Sequence, residues 1–349
     1  MRIGSPSSSR GGVAVRGRRR VVVGLVAGVL LAGCGGTGEA GTREGPGGPA
    51  ETAAGAASTA SGGAAQDAVG TFPRTVEHDK GSTTVPAAPQ RVVALDDSLV
   101  GAVAGLDVQV VGHTGEPEGL PQVFRVPQTQ GSTNVGTLGE PNLEAIAALR
   151  PDLIVSSTVR HDELYEELSA IAPTVFTATT GPTWKDNVRL VARTLGREEA
   201  GERQLADYEE RAAAVGADVN AAAGRPTISL VRFLSTEDPA RLYARASFPG
   251  IVLQDAGLAR PANQDVDEFA VEVSPEQIDA AAADRVFYSR YDVDDPAAAG
   301  RFTGSSLWRS LPATTEVSDE RWYTSVSVQG AHLILDDLAS AFGVDPHRV

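Results

Sequence analysis

One helix–strand pattern occurs twice in this chain, 132 residues apart, and it restricts the fold more than any other feature. In each copy a glutamate is followed at offsets of two, eight and thirteen by isoleucine, aspartate and serine. The two copies are Glu144, Ile146, Asp152 and Ser157, and Glu276, Ile278, Asp284 and Ser289. A repeated supersecondary unit predicts two halves with the same architecture.

Short apolar strands alternate with amphipathic helices on both sides of a strand-free stretch. This alternation is typical of parallel sheets covered by helices on both faces. The predicted class is therefore α/β, with two Rossmann-like lobes whose sheets are rich in parallel strands, joined by one long α-helix. We place the N-terminal lobe at residues 71–183, the connecting helical segment at 184–222 and the C-terminal lobe at 223–349.

The first 70 residues do not have the composition of a folded domain. Residues 1–33 combine an arginine-rich start with a short apolar run, as signal peptides do. Residues 31–34 read "LAGC" and resemble the lipobox of bacterial lipoproteins, which makes Cys34, the one cysteine of the chain, the predicted lipidation site. Residues 34–70 are rich in Gly, Ala, Ser and Thr and predict a flexible tether.

The charge of the mature chain excludes one class of partner. Without residues 1–33, 24 basic residues face 45 acidic ones, a formal charge of −21. Nucleic acid and anionic headgroups would repel such a protein. We therefore expect no nucleic acid partner and membrane attachment through the lipid alone.

Several strings resemble one known family, the helical-hinge (class III) substrate-binding proteins of iron–siderophore ABC importers, which also include haem and cobalamin binders. The resemblance spans about residues 72–343 and rests on "PQRVVALD", "GEPNLEAIAALRPDLIVSS", "SFPGIVLQDAGLARP" and "VSPEQID". It implies a ligand cleft between two lobes, little hinge motion, and a monomer that is exported and anchored by lipid to the outer face of the cytoplasmic membrane. It also implies that Glu144 and Glu276 dock onto the permease dimer, although each also suits the first turn of a helix.

Candidate ligand residues follow the predicted strands, because ligands of open parallel sheets collect at the carboxyl ends of the strands. Arginine suits the negatively charged oxygens of a ferric chelate, and aromatic faces suit its apolar linkers. Iron would be held by the chelator, so no cofactor is expected. The candidates are Arg160, Trp184, Arg232, Tyr243, Arg245, Arg290, Tyr291, Trp322 and Tyr323, with Arg232, Tyr243 and Arg245 preferred.

Direct metal binding is not expected, because none of the five histidines has a second histidine at the i+4 position, and each suits a surface or cap position. The leading hypothesis is a surface lipoprotein that captures a ferric siderophore. Haem, cobalamin or ferric citrate is the alternative ligand. An exported α/β hydrolase would need a nucleophile elbow, and the sequence has no G-x-S-x-G motif. A permease-associated lipoprotein without ligand binding is a third hypothesis.

Overall fold

The computed structural model describes residues 69–115, 119–235, 239–291 and 297–348. The described chain begins with a β-hairpin of β1 (Arg74–His78) and β2 (Gly81–Val85), paired antiparallel around Asp79 and Lys80. Two five-stranded sheets follow, one on each side of a helical segment.

The first sheet is entirely parallel, with strand order β5-β4-β3-β6-β7. Its strands are β3 (Val92–Ala94), β4 (Val110–His113), β5 (Thr133–Asn134), β6 (Leu153–Ser157) and β7 (Thr174–Thr177). The helices around it are α1 (Asp97–Gly105), α2 (Leu143–Ala148), α3 (Thr158–His161) and α4 (Tyr165–Ile171). Short 3-10 helices cover Gln122–Phe124, Pro127–Thr129 and Asp162–Leu164.

The connecting segment consists of two consecutive helices, α5 (Trp184–Leu195) and the long α6 (Glu198–Ala223). Gly196 separates them in the left-handed conformation, with φ of 68°. At Gly216 of α6, an added Cβ would lie 1.7 Å from the carbonyl oxygen of Ala256, so only glycine allows this close packing.

The second sheet is mixed, with order β10-β9-β8-β11-β12, and β9 is antiparallel to both of its neighbours. Its strands are β8 (Ile228–Phe233), β9 (Ala240–Tyr243), β10 (Ala270–Val273), β11 (Arg285–Arg290) and β12 (Thr314–Glu316). The α-helices are α7 (Phe248–Asp255), α8 (Ala297–Thr303), α9 (Ser306–Arg309) and α10 (Val328–Phe342). A 3-10 helix covers Pro275–Ala281 and a π-helical turn covers Glu320–Thr324.

Both sheets bury apolar side chains on both faces, as the continuous apolar strands predict. Val92 and Leu230 face a central core that joins the two lobes through α1, α5, α6 and α10. Val93 and Val231 face separate outer cores, one in each lobe. Because the central core is continuous, large rotation of one lobe against the other would expose apolar surface. Within the described part of the chain, no helix combines the length and apolar character needed to cross a bilayer.

A candidate ligand cleft between the lobes

A cavity of about 1140 Å³ opens between the carboxyl ends of the two sheets. The first lobe lines it with residues that follow β3, β4, β6 and β7, and the second lobe with residues at the ends of β8, β11 and β12. Six of the nine predicted ligand residues line the cavity. They are Arg160, Arg232, Tyr243, Arg290, Tyr291 and Tyr323.

Arg232 is almost fully engaged by its own lobe. Its Nε and Nη2 donate to the two carboxylate oxygens of Asp319 at 2.8 and 2.7 Å, and its Nη1 donates to the Tyr243 hydroxyl at 3.1 Å. The guanidinium carbon also lies 5.0 Å from the ring centres of both Tyr291 and Tyr323. Burial alone lowers the pKa of Arg232, but the hydrogen bonds and charge of Asp319 outweigh it and raise the pKa above its usual value. Arg232 therefore orders the aromatic wall and has few donors left for a ligand.

The other two predicted arginines of the cleft also have carboxylate partners, but both remain more accessible. Arg160 donates to Asp96 at 3.2 Å, and 41% of its side chain is exposed. Arg290 donates to Glu316 at 2.8 Å, and that carboxylate is itself exposed. Because these guanidiniums reach solvent, a ligand in the cleft can use their remaining N–H groups.

An aromatic wall forms one side of the cleft. The ring of Tyr243 lies 4.6 Å from Tyr323 and 5.1 Å from Phe269, centre to centre. Burial, together with the nearby Tyr243 and Asp319, raises the pKa of Tyr323 well above its usual value, so this phenol stays neutral. Sequence reasoning missed Phe269 because it precedes β10, a strand that the pattern did not reveal. It missed Asp319, just beyond β12, because only arginines and aromatic residues were sought at strand ends.

Three of the predicted ligand residues do not line the cavity. Trp184 is buried against Tyr208 and Phe248, with ring centres 5.2 and 5.6 Å away. Trp322 is also buried: it stacks on Phe287 and donates to Asp337 at 2.8 Å.

Arg245 is the third of these residues. It lies outside the lining and pairs with Asp265 at 3.5 Å on the surface. Chain proximity to a strand end does not determine which way a side chain points.

Glu144 and Glu276 are both exposed, each in the first turn of the helical segment that precedes the fourth strand of its sheet. Hydrogen bonds from the Ser274 side chain and from the local backbone lower the pKa of Glu276. Both carboxylates are therefore available to a partner. Cys34, the predicted lipidation site, lies outside the described residues.

The histidines are less exposed than the sequence suggested. His113 and His161 are buried, and burial lowers the pKa of each. His161 lies 2.7 Å from the Ser156 hydroxyl through Nδ1 and 2.8 Å from the Leu138 carbonyl oxygen through Nε2. Among the described residues, no group of three or more His, Cys, Asp and Glu side chains is arranged to hold a metal ion.

Comparison with known proteins identifies several similar chains. A Bacillus subtilis protein named "Probable siderophore-binding lipoprotein YfiY" is 36% identical over 287 residues, which cover 77% of this chain and 87% of the relative. The Fe(3+)-citrate-binding protein YfmC of the same organism is 29% identical, over 69% of this chain and 75% of the relative. The crystal structure of Staphylococcus aureus SirA complexed with staphyloferrin B aligns with a TM-score of 0.70 and 28% identity, covering 78% of this chain and all of SirA.

The sequence pattern of one family matches residues 92–316, which run from the first strand of the first sheet to the last strand of the second. The match therefore includes both sheets, the connecting helices and most of the cleft. This chain belongs to the periplasmic binding protein family.

Proposed function

We propose that this protein is the substrate-binding lipoprotein of an ABC importer, and that it captures a ferric siderophore in the cleft and delivers it to the permease. The chelator would hold the iron, and the protein would contact the chelator. The names of YfiY and of the SirA complex support a siderophore ligand.

The observation that carries the proposal is the exposed apolar surface inside the cleft. Four large hydrophobic side chains are exposed among the described residues, and Val159, Phe269 and Tyr291 of these line the cavity, at 58%, 43% and 54% exposure. Exposed apolar surface that is concentrated in one concave site marks a binding site for an organic ligand. A volume of about 1140 Å³ also suits a small organic ligand.

The cleft offers polar contacts beside this apolar surface. Arg160 reaches it from the first lobe and Arg290 from the second, so guanidinium donors could hold the chelate oxygens from both sides. The rings of Tyr291 and Phe269 would cover the carbon linkers. Release would then need only loss of these contacts, which suits a carrier.

Attachment and delivery follow from residues outside the cleft. Lipid on Cys34 would hold the protein at the outer face of the cytoplasmic membrane, with residues 34–70 as the tether. Glu144 and Glu276, one in each lobe, would dock onto the two permease subunits. Each lies in the helical segment before the fourth strand of its sheet, and these equivalent positions support a docking role for both.

Catalysis is not part of the proposal. The Ser156–His161 pair resembles a nucleophile and its base, but Ser156 is fully buried. His161 Nε2 faces a carbonyl oxygen and must therefore carry the proton, so Nδ1 accepts from Ser156. These bonds hold α3 against β6, and no substrate could reach the serine.

Titration of the full chain with ferric siderophores, ferric citrate, haem and cobalamin tests the ligand class. We expect one molecule of ferric siderophore to bind per chain. Arg290→Ala and Tyr291→Ala should weaken binding roughly tenfold each, in line with charged hydrogen bonds and aromatic contacts. Arg245→Ala is the matched control, because Arg245 is also a partly exposed arginine paired with an acid but lies outside the lining. Binding of haem or cobalamin without binding of any ferric chelate would refute the proposal.

A further inference from the structure

The cleft lining is slightly acidic, although arginines are prominent in it. Among the described residues it contains four arginines, five carboxylates, and neither lysine nor histidine. The arginines are Arg125, Arg160, Arg232 and Arg290, and the acids are Asp96, Asp97, Glu316, Asp319 and Glu320. The formal charge of the lining is therefore −1, in a protein that is already strongly acidic.

Two of these acids are buried, and each forms an ion pair with an arginine. Asp96 and Asp319 each have about 7% of the side chain exposed, and they pair with Arg160 and Arg232. An anionic ligand that drew either arginine away from its aspartate would leave a buried carboxylate without its counter-ion, which is strongly unfavourable. These two arginines therefore contribute hydrogen-bond donors to the cleft but little net positive charge.

Two further acids of the lining are exposed to solvent. Glu316 is exposed and pairs with Arg290, and Glu320 is exposed and accepts a hydrogen bond from the backbone N–H of Gln122 at 2.9 Å. Gln122 belongs to the first lobe and Glu320 to the second, so this hydrogen bond connects the two lobes. A ligand with surplus negative charge would meet these carboxylates as it enters.

Other lining groups suit a neutral ligand. Thr179, Thr180 and Ser318 bring uncharged hydroxyl groups to the cavity lining. Hydroxyl groups can satisfy chelate oxygens whose charge is already balanced by the metal.

Ferric chelates differ in how far the negative charge of the chelating groups exceeds the positive charge of Fe(III). Three hydroxamate groups carry as much negative charge as Fe(III) carries positive charge, so their complex is neutral at its core. Three catecholate groups carry twice as much, and polycarboxylate chelates also retain surplus negative charge.

We propose that this cleft selects ferric chelates with a neutral core, of the trishydroxamate type, over tris-catecholate and polycarboxylate chelates. The inference rests on the proposed function and narrows its ligand class. It follows from the count and pairing of charges in the lining, since like charges in a partly enclosed cleft repel more strongly than in water.

The test compares probes that differ in charge. The full chain is titrated by calorimetry with the ferric complexes of a cyclic trishydroxamate, of a tris-catecholate and of citrate, at low and high salt. We expect the trishydroxamate complex to bind at least tenfold more tightly than the other two, with little dependence on salt. Affinity for the anionic complexes should rise with salt, because screening reduces the repulsion.

Charge-removing variants test the cause of the selectivity. Glu316→Gln with Glu320→Gln keeps both side-chain shapes and acceptor oxygens, and it should shift the affinity ratio about tenfold toward the tris-catecholate complex. Glu272→Gln is the control, because Glu272 is an exposed, arginine-paired acid outside the lining, and the ratio should not change.

The outcomes distinguish failure of the charge selectivity from failure of the proposed function. Equal or tighter binding of an anionic ferric complex, or a ratio that is unaffected by the double variant, would overturn the charge selectivity and leave the proposed function standing. If none of the ferric complexes binds while haem or cobalamin does, the proposed function falls, and the charge selectivity falls with it.

Discussion

Asp152 and Asp284 make the same contact in the two lobes. Asp152 accepts hydrogen bonds from the backbone N–H groups of Gln90 and Arg91 at 2.8 and 2.9 Å, directly before the central strand β3. Asp284 accepts from the backbone N–H and the hydroxyl of Thr227, both at 2.8 Å, directly before the central strand β8. The repeated sequence unit thus corresponds to a repeated contact, which joins β6 to β3 in the first sheet and β11 to β8 in the second.

The first prediction concerns these two aspartates. Asp152→Ala should lower the free energy of unfolding by about 1–3 kcal/mol, as expected for hydrogen bonds to a charged group. Asp284→Ala should act in the same direction, and urea denaturation measures both. Asp279→Ala, an exposed acid in the same segment as Glu276, is the control and should be neutral. Stability unaffected in both variants would reduce the repeat to coincidence.

The bonds to Asp284 also imply a dependence on pH. The backbone N–H and hydroxyl of Thr227 lower the pKa of Asp284. Its contribution to stability is therefore present above the ordinary carboxyl pKa and is lost as pH falls through the lowered value. In Asp284→Ala this part of the acid destabilisation should be absent.

The sequence predicted the sheets well and the cleft only in part. Strand-end reasoning located Arg160, Arg232 and Arg290, because carboxyl ends of parallel strands meet at one edge. It missed β9 and β10, whose short sequences "ARLY" and "AVEV" contain a charged residue and have no long apolar run.

Side-chain direction could not be predicted from the strand pattern. Trp322 and Tyr323 are adjacent in the π-helical turn, yet Trp322 packs on Phe287 in the core while Tyr323 packs on Tyr243 in the cleft wall. Only the packing of the turn determines which aromatic residue faces which side. Asp319, the partner of Arg232, comes 87 residues later in the chain, and the strand pattern could not predict that the two residues pair.

The second prediction concerns the Arg232–Asp319 pair. Arg232→Ala should destabilise the fold by about 3–5 kcal/mol, because it leaves the buried Asp319 without a counter-ion. Arg232→Met combined with Asp319→Leu should cost much less, since no lone charge remains. Denaturation of Arg232→Met, of Asp319→Leu and of the double variant gives the coupling energy. Additive effects would show that the pair does not act as a unit.

The third prediction concerns His332. Burial and the nearby Arg211, whose Nη1 donates to Nδ1 at 3.0 Å, lower the pKa of His332, although Asp336 and Asp207 oppose the shift. The unfolded chain then binds a proton more readily than the native protein, so stability falls as pH drops below the usual value of 6.5. In His332→Asn the loss of stability as pH falls below 6.5 should be smaller. Parallel pH profiles for the variant and the parent would contradict this assignment.

The fourth prediction concerns Cys34. Cys34→Ala should release the protein from the membrane, because anionic headgroups would repel the acidic mature chain. Fractionation of cells expressing the variant measures release, and ligand titration of the released protein should match the parent. Retention of the variant after a salt wash would argue against a lipid anchor.

The last prediction concerns Glu144 and Glu276. Both are exposed and lie outside the cleft lining, so Glu144→Arg and Glu276→Arg should leave ligand affinity and stability close to those of the parent. Uptake of the ferric chelate should nevertheless fall with each single reversal and fall further with the double reversal. The reason is that each reversed side chain would place positive charge opposite a permease surface selected for a carboxylate.

Two comparisons make this test specific to docking. Glu210→Arg, at an exposed position on α6, makes the same change of charge and should leave uptake unaffected. Screening weakens interactions between exposed charges, so the defect of the double variant should be largest at low ionic strength. Normal uptake by the double variant would mean that both glutamates only stabilise the first turns of their helical segments. The functional meaning of the repeat would then be limited to Asp152 and Asp284, which join neighbouring strands in the two lobes.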